Sequence, residues 1–333
     1  MVLVAVPLGC VDDGKSAAES GLVSDSRSGD SEDSGPTGTT LPRAPLPASW
    51  AEADFWSEPG PLEPLLVQER DPASRWEVWL AWSADGVTWS PSSAPIAWGF
   101  SSLHLLITES GLLLAGVVEE AFATSLGLDP TGLYVLTSVD GEAWGSQFIS
   151  VQHSFAPYLF DPALHLDGLG LVLHAYATDS YGGDPAAIPG EHRVLRARWT
   201  EDAFVAEAEP IFSRDDLADP APCRLGAEPL LFFTDDTRRV ALARGEPPVE
   251  DLSFSWEQLS VPWCDDSQTP PTLVAQAQGG AEPPRRVILD TTEDVAEPVA
   301  VYEGDPFGHG NCTSPALAVV GGRQLLVCAV HID

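Results

Sequence analysis

The chain reads as an all-β protein, and its architecture as a β-propeller, most simply one of five blades. Three observations predict this. Strand-length apolar runs follow one another without a convincing amphipathic helix. A short turn motif recurs about 55 residues apart, and a second signal marks unit starts at a period near 50. A repeat of that length holding several strands is the size of a propeller blade.

The runs begin after Trp50 and are separated by Gly, Pro and Asp. Those up to Ala175 are Glu77 to Trp82, Leu103 to Ile107, Leu112 to Val118, Leu133 to Thr137 and Leu169 to Ala175. They continue with Val194 to Trp199, Pro229 to Phe233, Val240 to Arg244, Val287 to Asp290, Ala316 to Val320 and Gln324 to Val330. Each has the length and the Val, Leu, Phe and Trp content of a strand.

Ser83 to Trp89 and Ser138 to Trp144 share the pattern S-x-D-G-x-x-W, and Thr200-Glu-Asp-Ala-Phe is a degenerate third copy. Each follows an apolar run, as a hairpin turn should. Asp would accept backbone N–H bonds across the turn, Gly would supply a positive φ, and Trp would fold back over the hairpin base.

The unit starts are Ser101-Ser-Leu103, Asp161-Pro-Ala-Leu164, Asp219-Pro-Ala-Pro222, Thr269-Pro-Pro-Thr272 and Ser314-Pro-Ala-Leu317, with steps of 60, 58, 50 and 45 residues. They predict blades over Phe100 to Gln152, Phe160 to Phe212, Leu217 to Leu259 and Asp265 to Tyr302. Pro61 to Ser90 and Asn311 to Asp333 would combine into a fifth, closing the ring with strands from both termini. Six blades follow if Ser49 to Arg70 forms its own sheet, and a β-sandwich with irregular insertions is the competing fold.

Three regions are expected: residues 1–10, 11–48 and 49–333. Met1 to Gly9 is apolar and ends at Cys10, after which the composition shifts to Ser, Asp, Gly, Thr and Pro with no aromatic residue until Trp50. Such a tract cannot bury enough surface to fold. Leu8-Gly9-Cys10 resembles the end of a bacterial lipoprotein signal, although Pro7 and the missing basic n-region depart from the pattern. The resemblance implies acylation of Cys10, a flexible tether, a lipid anchor and a place at the cell envelope.

The remaining cysteines, Cys223, Cys264, Cys312 and Cys328, allow three disulfide connectivities or four free thiols. Cys223, Cys264 and Cys312 each fall near a unit start, which favours pairing of neighbours, Cys223 with Cys264 and Cys312 with Cys328. No Cys-x-x-Cys pair suggests zinc.

Sixteen Lys and Arg stand against fifty Asp and Glu, a formal charge of −34, so a nucleic-acid partner is disfavoured. There is no Gly-rich phosphate loop, no G-x-S-x-G, no His-Glu-x-x-His and no EF-hand loop.

The two S-x-D-G-x-x-W copies resemble the Asp-box repeats of sialidases and related propellers, one residue short of the usual spacing. That resemblance implies structural roles for Asp85, Trp89, Asp140 and Trp144. The Asp-Pro starts and the count of five are similar to the five-bladed glycoside hydrolases of the arabinanase and xylosidase kind. This implies that acidic residues at the starts of innermost strands face a central pocket, at Asp161 and Asp219, with Asp265 (or Asp266) a third.

A glycosidase needs two carboxyl groups across the scissile bond, so a Glu on another blade would be expected; Glu191 is the nearest candidate. The triple-arginine site of a sialidase is not evident, since Arg224, Arg238 and Arg323 are scattered. Arg224 and His309 are nonetheless candidate binding residues, and Trp98, Tyr158 and Tyr181 could stack on sugar rings. An acidic central channel could also hold Ca²⁺. Recognition of a glycan or surface protein is the leading expectation, and glycoside hydrolysis the alternative.

Overall fold

The computed structural model describes residues 46–51, 56, 76–118, 123–124, 127, 133–155, 158–178, 191–215, 217–277, 282–289, 298–303, 306–308 and 312–331. Cys10, Tyr181 and His309 lie outside them.

A short helix, α1 (Ala48–Ala51), precedes β1 (Trp76–Ser83), β2 (Ser90–Pro91) and β3 (Ala97–Trp98). Two four-strand meanders follow. The first is β4 (Phe100–Ile107), β5 (Leu112–Val118), β6 (Leu133–Ser138) and β7 (Gly145–Gln152). The second is β8 (Tyr158–Asp167), β9 (Gly170–Thr178), β10 (Glu191–Trp199) and β11 (Ala203–Ala206), with β12 (Phe212–Asp215) also on β10. Two more are β13 (Ala218–Leu225), β14 (Glu228–Thr234), β15 (Val240–Arg244) and β16 (Val249–Trp256), then β17 (Leu259–Asp265), β18 (Thr272–Ala277), β19 (Arg285–Ile288) and β20 (Val299–Ala300). The chain ends in β21 (Ala316–Val320) and β22 (Arg323–His331).

The protein is a β-propeller, and the described residues form five blades. Blade I runs β21-β22-β1-β2 from the axis outward, so β1 completes a sheet begun by the last two strands. Blades II to V are the four meanders in order. Their first strands touch in the cyclic order β21, β4, β8, β13, β17 and back to β21, which closes the ring. Blades II and III also join at their outer edges, where β7 and β11 pair in parallel.

The packing explains why the strands read as apolar runs rather than alternating ones. A blade is covered on both faces by its neighbours, so β5 and β6 are buried at every position. Trp50 joins this core from outside the ring, edge-on to Trp199 and Phe204. Its segment is a helical turn, and no sixth sheet occurs among the described residues. None of the described helices is long and apolar enough to cross a membrane.

The S-x-D-G-x-x-W segments link the third and fourth strands of blades I and II. Asp85 Oδ1 accepts from the N–H groups of Val87 (2.9 Å) and Thr88 (2.8 Å), and Asp140 Oδ1 from those of Glu142 (2.8 Å) and Ala143 (3.1 Å). Those bonds favour the carboxylate and hold Asp85 down at about 2. Gly141 has φ +78°, and a Cβ there would lie 2.9 Å from the Trp82 ring of the neighbouring blade, so both conformation and space demand glycine. Ser138 Oγ accepts from the buried Gly141 N–H at 2.7 Å. Ser138→Ala should therefore cost about 1–3 kcal/mol, the penalty of an orphaned buried donor, read as a shifted midpoint in urea.

One blade boundary differs from expectation. Blade V starts at Leu259, not Asp265, because Leu259–Asp265 is itself the innermost strand. Pro262 is accommodated in this strand because it sits at a bulge, where a missing ladder N–H is tolerated. Thr269-Pro-Pro-Thr272 is accordingly the hairpin between β17 and β18, not a unit start.

Candidate functional site

Four of the five innermost strands carry the same distortion near their start. The ladder slips between Ser101 and His104 in β4, Phe160 and Ala163 in β8, Ala218 and Ala221 in β13, and Ser260 and Pro262 in β17. At each slip one non-glycine residue is left-handed: Ser102 (φ 54°), Asp161 (49°), Asp219 (52°) and Val261 (49°). Such values are uncommon for any L-residue and outlying for a β-branched one. A bulge re-aims its side chain, and strain repeated on four blades marks the place where a site is built.

These positions bring Asp161 and Asp219 together. The Asp219 N–H donates to Asp161 Oδ2 at 2.9 Å, and the two carboxyl groups are themselves hydrogen-bonded. Ser102 bonds Asp161 from blade II. Thr234, at the end of β14, bonds Asp219 with its side chain, and its Oγ1 accepts from the Val261 N–H at 2.8 Å. The bulges of blades II to V are thus stitched into one polar arc around the mouth of the ring.

Withdrawal from bulk water raises the pKa of both acids. For Asp161 this is countered by the bonds from Ser102 and the Asp219 N–H and by His192, while Asp219 is pushed further by the Asp161 charge. Thr234 and Arg238 only partly oppose that push, so Asp219 rises well above the ordinary carboxylate range. A hydrogen bond between two carboxyl groups needs a proton on one of them, and the larger upward push falls on Asp219, from burial and the Asp161 charge. His192 is wedged behind the pair, its ring 5.0 Å from Tyr176 and nearly parallel, with Nδ1 2.5 Å from the Leu217 carbonyl oxygen.

This proton sets a stability prediction. Asp219 keeps its proton in the folded state at pH values where the unfolded chain has released it. Its contribution is complete below the unfolded value of 3.8 and is lost as pH rises through the folded value. Asp219→Asn removes that loss, so the melting temperature of the variant relative to the parent should climb between pH 4 and pH 8.

The other expected residues fall elsewhere. Asp265 ends β17, at the opposite end of the inner strands from the bulges, where it accepts from the Ser267 and Gln268 side chains and the Ser267 N–H. It is not brought to the Asp161–Asp219 pair, because the strand start to which it had been assigned is Leu259. Neighbouring Asp266 lies 3.8 Å from His165. Arg224 is likewise at the far end of β13, Arg238 is beside Asp219, and Arg323 stacks on Trp82. Trp98 is half-buried on the blade I rim, paired opposite Glu77 at the mouth end of β1. Tyr158 starts β8, three residues before Asp161.

The cysteines join as neighbours: Cys223 to Cys264, tying β13 to β17, and Cys312 to Cys328 within blade I.

Below the pair the axis is filled. Trp263, 2% exposed, donates its indole N–H to the Leu105 carbonyl at 2.8 Å, crossing from blade V to blade II, and the His104 ring lies 6.4 Å away. Burial holds His104 down at about 3. Among the described residues, no three His, Cys, Asp or Glu side chains are grouped to hold a metal ion.

Ser102, Thr234, His192 and Arg238 were missing from the expected site. No sequence signal marked them: the unit starts set Ser101, not Ser102, level with Asp161 and Asp219.

No protein-family model matches the chain, and no curated protein matches it. Its fold does have solved counterparts. An exo-β-1,3-galactanase from Phanerochaete chrysosporium, seen with β-1,3-galactotriose, is similar with a TM-score of 0.50 and 11% identity over 76% of this chain and 67% of that one. The same enzyme with galactose gives 0.50 and 11%, over 71% and 61%. The chain therefore spans about two thirds of the galactanase's length. The GH43_1 enzyme from Xanthomonas citri with xylotriose gives 0.46 and 12%, over 69% and 87%.

Proposed function

We propose that the protein is a glycan-active propeller, a glycoside hydrolase whose central chemistry is supplied by the Asp161–Asp219 pair. The observation that carries this reading is the pair itself: two buried carboxyls on adjacent inner strands, hydrogen-bonded to each other at the mouth of the ring. The galactanase of similar fold, seen with β-1,3-galactotriose, supports a glycan as the class of substrate.

The two carboxyls do not straddle a bond. Retaining enzymes separate them by about 5–5.5 Å and inverting ones by about 6.5–9.5 Å, whereas these two touch. The pair therefore acts as one partner. Asp161, ionised and held by Ser102 and the Asp219 N–H, takes a proton from water or stabilises developing positive charge. Asp219, pushed toward its protonated form by burial and the Asp161 charge, donates to Asp161 and favours its ionised form. The opposing acid would come from another part of the mouth, with Glu191 the sequence candidate. Trp98 offers an aromatic face on the same rim for a neighbouring sugar.

A second reading, glycan or protein recognition without turnover, draws on Ser102 and Val261, which place no acid at the two flanking bulges, and on Trp263, which plugs the axis. In both readings acylated Cys10 tethers the domain at the cell envelope. The deciding experiment is hydrolysis of aryl galactosides, xylosides and arabinosides and of the matching polysaccharides by residues 49–333, beside Asp161→Asn and Asp219→Asn. Turnover that disappears in the folded variants supports the hydrolase, while binding without turnover in the parent supports the second reading.

A further inference from the structure

A second cleft lies between blades III and IV, at the opposite end of the inner strands. Asp161 and Asp167 sit six residues apart on β8, about 20 Å along an extended strand. The cleft has a volume of about 380 Å³, within the range of small-ligand sites, and its charged lining comprises Asp167, Arg196, Arg198, Arg224 and Glu246, together with His165 and His174.

In a chain of formal charge −34, three guanidinium groups in one cleft invite a charge balance. Arg196 is bound to Glu207 at 2.6 Å and to Glu246, and Arg198 to Asp167 at 2.8 Å. Those contacts lock two arginines in place and neutralise them. Arg244, close by, is held by Asp251 at 2.7 Å and by Glu228 at 3.4 Å. Arg224 is half-buried and has no carboxylate partner among the described residues. His174, which lines the same cleft, is 7% exposed, and its Nδ1 has no hydrogen-bond partner among the described residues. His165 faces Asp266 instead, at 3.8 Å.

We propose that this cleft binds a sugar bearing a carboxylate, with Arg224 as its counter-ion and His174 Nδ1 as a further polar contact. Asp167, Glu207 and Glu246 balance the three arginines in number, but two of those carboxylates sit on Arg196, which leaves the Arg224 guanidinium without a direct partner and able to pair with one carboxylate of a ligand. Leu169, Ile211 and Leu230 supply apolar lining for the sugar's C–H face, and the volume suits a monosaccharide or disaccharide. The proposal does not rest on hydrolysis at the Asp161–Asp219 pair.

The test is calorimetric titration of the full chain at low salt with sodium glucuronate and galacturonate, with glucose, galactose and inorganic phosphate alongside. A glucuronate-terminated oligosaccharide distinguishes a free acid from a glycan end. The expected result is hexuronate binding at least tenfold tighter than the neutral sugar, weakened at 0.5 M NaCl. Arg224→Gln should lower it tenfold or more and Asp219→Asn should leave it unchanged. No hexuronate binding, binding indifferent to salt or to Arg224→Gln, a preference for phosphate, or loss in folded Asp219→Asn would each overturn the proposal. The salt dependence of the parent keeps the test decisive if Arg224→Gln fails to fold.

Discussion

Asp161→Asn is expected to lower glycoside turnover by about 10²- to 10⁴-fold while leaving the melting temperature of the protein nearly unchanged, the range associated with loss of one positioned proton-transfer group. The near-isosteric amide keeps the contacts to Ser102 and to the Asp219 N–H, so the bulge is preserved and only the ionisable oxygen is lost. Asp219→Asn should be the milder variant in rate and the stronger in pH profile. In the parent, activity should fall on the acid side as Asp161 takes a proton and on the alkaline side as Asp219 releases the one it holds. Asp219 is already neutral on the acid limb, so that limb should stay close to the parent's in Asp219→Asn, while the alkaline limb, which reports Asp219's own proton, should disappear. Rates measured from pH 4 to pH 9 on the best substrate of the panel check both limbs. Equal, pH-independent losses in the two variants would assign the pair to structure.

Much of the fold could be read from residue patterning because a propeller repeats its physics. Every blade needs an apolar run buried on both faces, and each outer hairpin needs a turn that caps its own N–H groups, so Ser83 to Trp89 and Ser138 to Trp144 were visible as related turns. Closure by β1 and β22 followed from apolar runs left over at both ends. Asp161 and Asp219 were reached through the resemblance of the Asp-Pro unit starts to those of five-bladed glycoside hydrolases, since Asp before Pro by itself is a common turn signal. What escaped is the tertiary part. The left-handed bulge that turns these residues toward the axis has no local signature, because Ser102, Asp161, Asp219 and Val261 share a conformation and no side-chain chemistry. The contact between the two acids depends on the stagger of adjacent blades. Asp265 was expected at the start of an inner strand because the last full blade was begun at Asp265, whereas that residue ends the inner strand Leu259–Asp265.

Trp263→Ala should be the most destabilising single substitution in the protein, costing about 3–5 kcal/mol in urea unfolding, the range for deleting a buried aromatic side chain. The size of the effect follows from position. Blades V and II are not neighbours in the ring, with blade I between them, and the Trp263 indole spans the axis to the Leu105 carbonyl at 2.8 Å. The core around it draws residues from three blades, among them Val78 and Leu326 of blade I, Leu105 and Leu114 of blade II and Val274 of blade V. Trp263 is 2% exposed and packed within that cluster, so a void there would be lined by several blades and would not close by moving one neighbour. Trp263→Phe should recover most of the packing and lose only the hydrogen bond, costing about 1 kcal/mol beyond the smaller area. Because Trp263 lies two residues past the left-handed Val261, the alanine variant should also loosen the bulge that carries the Thr234 contact. Its effect on turnover, if turnover is found, should then track the loss of stability with temperature, whereas that of Asp161→Asn should not.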